Sequence, residues 1–189
     1  MTLCRPEWWR WIKFFSTEEI IKINEKINTL PFFQENKNAP AYSDTGELKK
    51  SCYVKVIKWD EISSMFDVAK QEAFKVTRKE FKYDVWDFNY STMVNFNTYS
   101  PGGQYDWHRD ISVENLKYDF KMTFIINLSD EKYEGGEFNL NFGDPQVIDE
   151  LNKPGSMVLF PSYILHKVNP IITGCRKTLT IFIEGPPFR

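Results

Sequence analysis

Apolar side chains in the first 80 residues recur at helical spacing. Ile20, Ile23, Ile27 and Leu30 follow one another at three- and four-residue intervals, which places them on one face of a helix. Ser16 and Glu19 form a capping box at its start, and Pro31 closes it. A second stripe of Ile62, Met65, Phe66, Ala69, Ala73, Phe74 and Val76 predicts a helix from about Asp60 to Phe81. Between the two, Asn36 to Lys50 is rich in Asn, Pro, Ser, Asp and Gly and has no apolar period. It reads as a long surface loop, either a plain connection or a lid that closes over a ligand.

After Trp86 the period shortens to two. Met93–Tyr99, Lys121–Leu128, Glu137–Phe142, Met157–Phe160, Leu165–Val168 and Lys177–Glu184 read as strands. Pro101-Gly102-Gly103, Gly135-Gly136, Gly143-Asp144-Pro145 and Pro154-Gly155 supply turns between them. Short strands this dense predict a barrel or jelly roll with the helices packed outside. On the last strand Leu179, Ile181 and Ile183 share one face and Arg176, Thr178, Thr180 and Phe182 the other. The first face suits a core under the helices. The second, polar and carrying a lone arginine, suits a ligand cavity. Thr123 and Asn127 fall on the inward face of their strand and are further candidates for polar lining.

With 189 residues, 42% of them apolar, the chain has the size of one domain with a sizeable core. We expect a single domain over 1–189, with 1–90 a mainly helical support and 91–189 the β core. A net charge of −2 and a pI near 5.8 leave no footprint for nucleic acid or an anionic membrane. Cys4, Cys52 and Cys175 are odd in number and far apart, which argues against a disulfide framework or a thiolate metal site. Arg5, Glu7, Arg10 and Lys13 interrupt the amino-terminal tryptophans, so no signal peptide is read there. No apolar run reaches the about 20 residues of a membrane span. A cytoplasmic protein is the expectation; the oligomeric state is not legible.

The chain has two histidines, His108 and His166, and Asp110 lies two positions after the first. On an extended segment residues i and i+2 share a face, so imidazole and carboxylate can converge. A His-x-Asp pair alone fits a plain hydrogen bond as well as half a metal site. A second imidazole from a distant strand would complete a two-His, one-carboxylate set, which suits non-haem iron(II) because it leaves coordination positions open.

Ten residues after His166 comes Arg176, where the Thr173-Gly174 turn gives way to the last strand. Tyr99 and Tyr105 flank a glycine turn before His108. Glu134-Gly135-Gly136, Pro154-Gly155 and Phe160-Pro161 then precede His166. Together these features, from Met93 to the carboxy-terminus, resemble the 2-oxoglutarate- and iron(II)-dependent oxygenases, in their prolyl-4-hydroxylase-like branch. The resemblance implies a double-stranded β-helix, a mainly β fold with amino-terminal helices outside it. It implies iron(II) held by His108, Asp110 and His166, with 2-oxoglutarate and O2 as co-substrates and ascorbate as reductant. Arg176 then matches the residue that grips the distal carboxylate of 2-oxoglutarate, assisted by Thr178, and Tyr99 matches a co-substrate contact or a core aromatic.

The implied substrate is a prolyl or other residue of a peptide or protein, with a free amino acid or small metabolite as the alternative. A non-catalytic, metal-binding cupin-like module is the reading from another class. Nucleic-acid demethylation fits poorly, since Phe182 stands where that pattern has a second arginine. Halogenation fits poorly because Asp110 fills the place kept small for halide. The tryptophans read as packing residues, and Cys175 receives no role.

Overall fold

In the computed structural model the described residues are 6–31, 34–36, 41–42, 48–89, 91–111 and 117–188. The chain opens with β1 (Trp9–Trp11) and α1 (Thr17–Thr29), then β2 (Gln34–Asn36), β3 (Ala41–Tyr42), β4 (Leu48–Ser51) and β5 (Tyr53–Lys58). A 3-10 turn at Trp59–Glu61 leads into α2 (Ser63–Lys79). The second half carries β6 (Met93–Tyr99), β7 (Gln104–His108), β8 (Asp119–Asn127), β9 (Glu134–Gly135), β10 (Phe138–Asn141) and β11 (Pro145–Val147). It ends with β12 (Met157–Pro161), β13 (Leu165–Val168), β14 (Ile171–Thr173) and β15 (Arg176–Gly185).

Two antiparallel sheets face each other. One runs β1-β12-β8-β15-β6-β5-β2, the other β11-β10-β13-β7-β4-β3, and β14 pairs with β9 as a short clip. This is the expected β core with helices outside it. α1 begins as predicted: Ser16 N–H donates to Glu19 Oε2 at 2.8 Å, and Glu19 N–H donates to the Ser16 hydroxyl at 3.3 Å. Ile20, Ile23 and Ile27 of α1 and Phe66, Ala69 and Ala73 of α2 are buried with Leu179, Ile181 and Ile183 in one core. A second core lies between the sheets around Phe138, Leu140, Val158 and Phe160. Each residue of β15 therefore faces the side its alternation assigns.

The loop expected over Asn36–Lys50 is corrected in part. Ala41–Tyr42 and Leu48–Ser51 are strands, and β4 extends the second sheet by pairing with β7. Backbone pairing at a polar sheet edge needs no apolar period, so the pattern concealed it. Residues 37–40 and 43–47, which the lid expectation concerns, lie outside the described residues. Among the described residues of 1–90, α1 and α2 share the chain with five strands. Among the described residues no helix is long and apolar enough to cross a membrane.

Candidate active site

The site lies in a cavity between the two sheets, and each of its groups is placed by strand register. β13 pairs with β7 so that His166 and His108 are direct partners, which brings their ring centroids to 4.0 Å. Asp110 follows the end of β7, and its N–H donates to the Ser162 carbonyl at 2.9 Å, pinning the turn against the end of β12. His108 Nε2 lies 3.7 Å from Asp110 Oδ1, and His166 Nε2 lies 3.2 Å from Asp110 Oδ2. The three ligand atoms are all within 4.8 Å of one another.

The hydrogen bonds around these groups decide what they offer. His108 Nδ1 faces the Asp106 carbonyl at 2.7 Å, and His166 Nδ1 faces the Ile164 carbonyl at 2.9 Å. A carbonyl only accepts, so both Nδ1 atoms carry the proton and both Nε2 atoms turn a lone pair toward Asp110. Burial first, then the neighbouring His166 imidazole, pushes His108 down to about 3, so it is neutral near pH 7. Burial pushes the Asp110 carboxyl up, but the charge of His166 and then of His108, whenever those imidazoles carry a second proton, and the Thr123 hydroxyl hold it below its ordinary value; a metal takes the place of that proton.

Thr123 Oγ1 donates to Asp110 Oδ2 at 2.8 Å and lies 3.0 Å from the Ser162 hydroxyl. With the Thr123 proton committed to the carboxylate, Ser162 is the donor to Thr123. Three lone-pair donors thus converge with no proton between them, an arrangement that is repulsive until a cation enters. Two donors about 2.1 Å from one ion and at right angles lie about 3 Å apart, close to the spacing seen. The donor set fits a divalent metal with open positions.

Arg176, at the other end of the cavity, is 1% exposed, and its Nε and Nη2 atoms have no hydrogen-bond partner. Among the described residues no carboxylate lies within ion-pair distance of it. Its strand partner is Tyr99, whose ring centroid is 5.7 Å from the guanidinium carbon. Gly136 has a positive φ of 68°, and a Cβ there would collide with Ile171 and stand 3.1 Å from Arg176 Cδ. The glycine pair is thus what lets the chain pass beside the arginine.

His108, Asp110, His166, Arg176, Thr178 and Tyr99 all line this one cavity. Asn127 does not; its amide donates to the Leu151 carbonyl at 2.7 Å and to Tyr133 Oη at 3.1 Å, in a structural network. Thr123 holds Asp110 rather than lining open space. Asn97, Lys50 and Ser162 were not foreseen. Asn97 donates to the Thr178 and Thr180 hydroxyls at 3.4 and 3.1 Å, and its alternation with Asn95 and Tyr99 on β6 could have revealed it. Trp59 and Trp11 pack in the core as expected, whereas Trp86 is exposed.

The 2OG-Fe(II) oxygenase superfamily model matches residues 94–184. A PKHD-type hydroxylase of Stenotrophomonas maltophilia is 39% identical over 97 residues, 48% of this chain and 42% of that protein. The PKHD-type hydroxylase PiuC of Pseudomonas aeruginosa is 35% identical over 89 residues, 43% and 38% of the two chains. The chain thus matches about two fifths of the length of these relatives. A Pseudomonas putida prolyl-4-hydroxylase superposes with a TM-score of 0.70 over 96% of this chain and 94% of that one, at 16% identity. The viral collagen prolyl hydroxylase of Paramecium Bursaria Chlorella virus-1 does so with a TM-score of 0.66, also at 16% identity, over 95% and 97%. At such identity these two structures speak for the shared fold. The double-stranded β-helix and the two-His, one-carboxylate cluster agree with the match of the superfamily model: over residues 94–184 the chain is similar to the 2OG-Fe(II) oxygenase superfamily.

Proposed function

We propose that the protein is an iron(II)- and 2-oxoglutarate-dependent dioxygenase that hydroxylates a prolyl or other residue of a peptide or protein. The observation that carries this reading is a single cavity with three converging metal donors at one end and, at the other, a buried guanidinium with two nitrogens lacking a hydrogen-bond partner. His108, Asp110 and His166 would hold the metal. Arg176 would take the distal carboxylate of 2-oxoglutarate through its planar fork, with the Thr178 hydroxyl beside it. Iron(II) bound there supplies activation of O2 coupled to decarboxylation of 2-oxoglutarate to succinate. Thr123, backed by Ser162, keeps the Asp110 carboxylate oriented, and the two backbone carbonyls keep both imidazoles in the metal-binding tautomer. Phe138, Ile125 and Val168 wall the cavity with apolar surface and limit water around the reacting groups. The prolyl substrate rests on likeness to the prolyl hydroxylases that share the fold. We assign residues 1–189 to one oxygenase domain.

Incubation with iron(II), ascorbate and 2-oxoglutarate should yield succinate above background even without the primary substrate. His166→Ala should abolish it and lose bound metal while cooperative unfolding is retained, because two donors hold a divalent ion poorly. Full turnover and full metal content in that variant would refute the metal assignment. Mass spectrometry of candidate peptides for a gain of one oxygen tests the substrate class.

A further inference from the structure

The cavity contains a second cation that the proposed reaction leaves unused. Lys50 lies on β4 opposite Tyr105 of β7, and its Nζ stands 4.7 Å from the Tyr105 ring centroid. The His108 imidazole stacks on that ring at 3.3 Å and fills one of its faces. The ammonium therefore rests on the other face, one ring removed from the metal donors. A ring face holds an ammonium by its quadrupole while leaving the N–H groups free to donate.

Among the described residues no carboxylate lies within ion-pair distance of Lys50. It shares the outer cavity wall with Asn95, Thr180 and Phe182, all partly exposed, whereas Tyr99, Asn97, Thr178 and Arg176 at the inner end are buried. Charge balance separates the two ends. A divalent ion and Arg176 together offset the Asp110 carboxylate and a doubly ionised 2-oxoglutarate, so the filled inner cavity is neutral. Lys50 is the charge left over. A half-buried ammonium without a counter-ion is stabilised by an anion that arrives with a ligand.

Resting on the oxygenase reading above, we propose that Lys50 is the rim subsite for a carboxylate carried by the primary substrate. The carboxylate is an Asp or Glu side chain next to the hydroxylated residue of a peptide, or the α-carboxylate of a free amino acid. The co-substrate is the weaker occupant, because both its carboxylates already have places and the Tyr105 ring separates Lys50 from the metal donors.

The test uses the full chain loaded with manganese(II) and 2-oxoglutarate under nitrogen, where nothing turns over. Proton relaxation by the bound manganese reports each probe. One probe pair is a capped peptide with a central Pro flanked by Glu or by Gln; the other is free proline and its amide. The acidic member of at least one pair should bind about tenfold tighter than its amide. Lys50→Met should erase that preference, Lys50→Arg should keep it, and Lys50→Glu should shift it to a lysine-bearing peptide. A response confined to the peptides assigns a side-chain carboxylate, and one confined to proline assigns the α-carboxylate. No acidic preference in the wild type, by equal binding or by none, overturns the proposal, as does a preference that survives in Lys50→Met. A loss of 2-oxoglutarate affinity in Lys50→Met also overturns it by moving Lys50 to the co-substrate. If the manganese-loaded wild type fails to bind 2-oxoglutarate, the oxygenase reading itself falls.

Discussion

Two buried cations in one sheet meet opposite conditions. Lys55 of β5 is 7% exposed and donates from Nζ to the Ile27 carbonyl at 2.6 Å, where it satisfies the carbonyl end of α1. Arg176 of β15, two strands away in the same sheet, is more deeply buried, yet two of its nitrogens have no partner. Lys55 is paired in register with Phe96 of the helix-side core, while Arg176 is paired with Tyr99 on the cavity side. The helix face of the sheet is thus complete within the chain and the cavity face is not. An unsatisfied buried donor costs roughly 1–3 kcal/mol, more when charged. A position selected for stability alone would not keep that cost, so the difference marks where a ligand finishes the structure.

Substitution should move the two residues in opposite directions. Arg176→Ala should weaken 2-oxoglutarate binding the most of any change considered. Truncating one member of a buried charge pair costs roughly 2–5 kcal/mol, or tens- to thousands-fold in affinity. Arg176→Lys should recover part of it, since the charge stays but the fork is lost. In ligand-free protein, Arg176→Met should raise the midpoint of thermal unfolding, because it removes an uncompensated charge. Lys55→Met should lower stability by roughly 1 kcal/mol, because it removes the charged donor from the Ile27 carbonyl and leaves it only the Leu30 N–H at 3.3 Å. Calorimetry of both variants decides it, and shifts of the same sign would erase the contrast.

A smaller effect is expected one step back from the metal donors. Thr123→Val removes the hydroxyl that donates to Asp110 and leaves Ser162 without its acceptor. Loss of an outer-shell partner typically costs 10–100-fold in metal affinity. Titration of the apoprotein with iron(II) or manganese(II) should show a fall of about that size, with Thr123→Ser restoring most of it. Unchanged affinity in the valine variant would mean that the two imidazoles alone orient the carboxylate.

The same contrast explains what could be read from the chain. β15 was legible on both faces because each face has its own chemistry: Leu179, Ile181 and Ile183 against Arg176, Thr178 and Thr180. α1 was legible because its cap and its apolar stripe agree. β7 was missed: Gln104 to His108 alternate polar and aromatic side chains, but the stretch is short and none of the five is fully buried, so neither face reads as core. β1 and β4 were missed because they are held by pairings with β12 and β7 made across long stretches of chain. The metal donors could be named from residue types and spacing, but their convergence depends on the β7–β13 register, which no local pattern encodes. Lys50 was hidden for the same reason, as a polar residue on a strand read as loop. Asn127 went the other way: its strand phase was inward, but a tyrosine hydroxyl and a backbone carbonyl already use its amide.

The smallest effect separates two roles for Tyr99. Its ring is 4% exposed and faces the Arg176 guanidinium, and it packs in the same buried cluster as Cys52. Burial pushes the Tyr99 hydroxyl well up, so Tyr99 remains neutral at any pH at which the protein works. If the ring is what matters, it supplies the compensation the arginine has among the described residues before a ligand arrives, worth about 0.5–2 kcal/mol for a desolvated cation over an aromatic face. Tyr99→Phe keeps the face and should change 2-oxoglutarate affinity less than about threefold, whereas Tyr99→Leu should weaken it by about 2- to 30-fold. A hydroxyl that contacts the co-substrate directly would reverse that order, making the phenylalanine variant nearly as poor as the leucine one. The outcome sharpens the contrast with Lys55 either way. In the first case the cavity face is partly furnished by an aromatic ring and completed by a carboxylate; in the second, Tyr99 belongs with Arg176 among the groups that wait for the ligand.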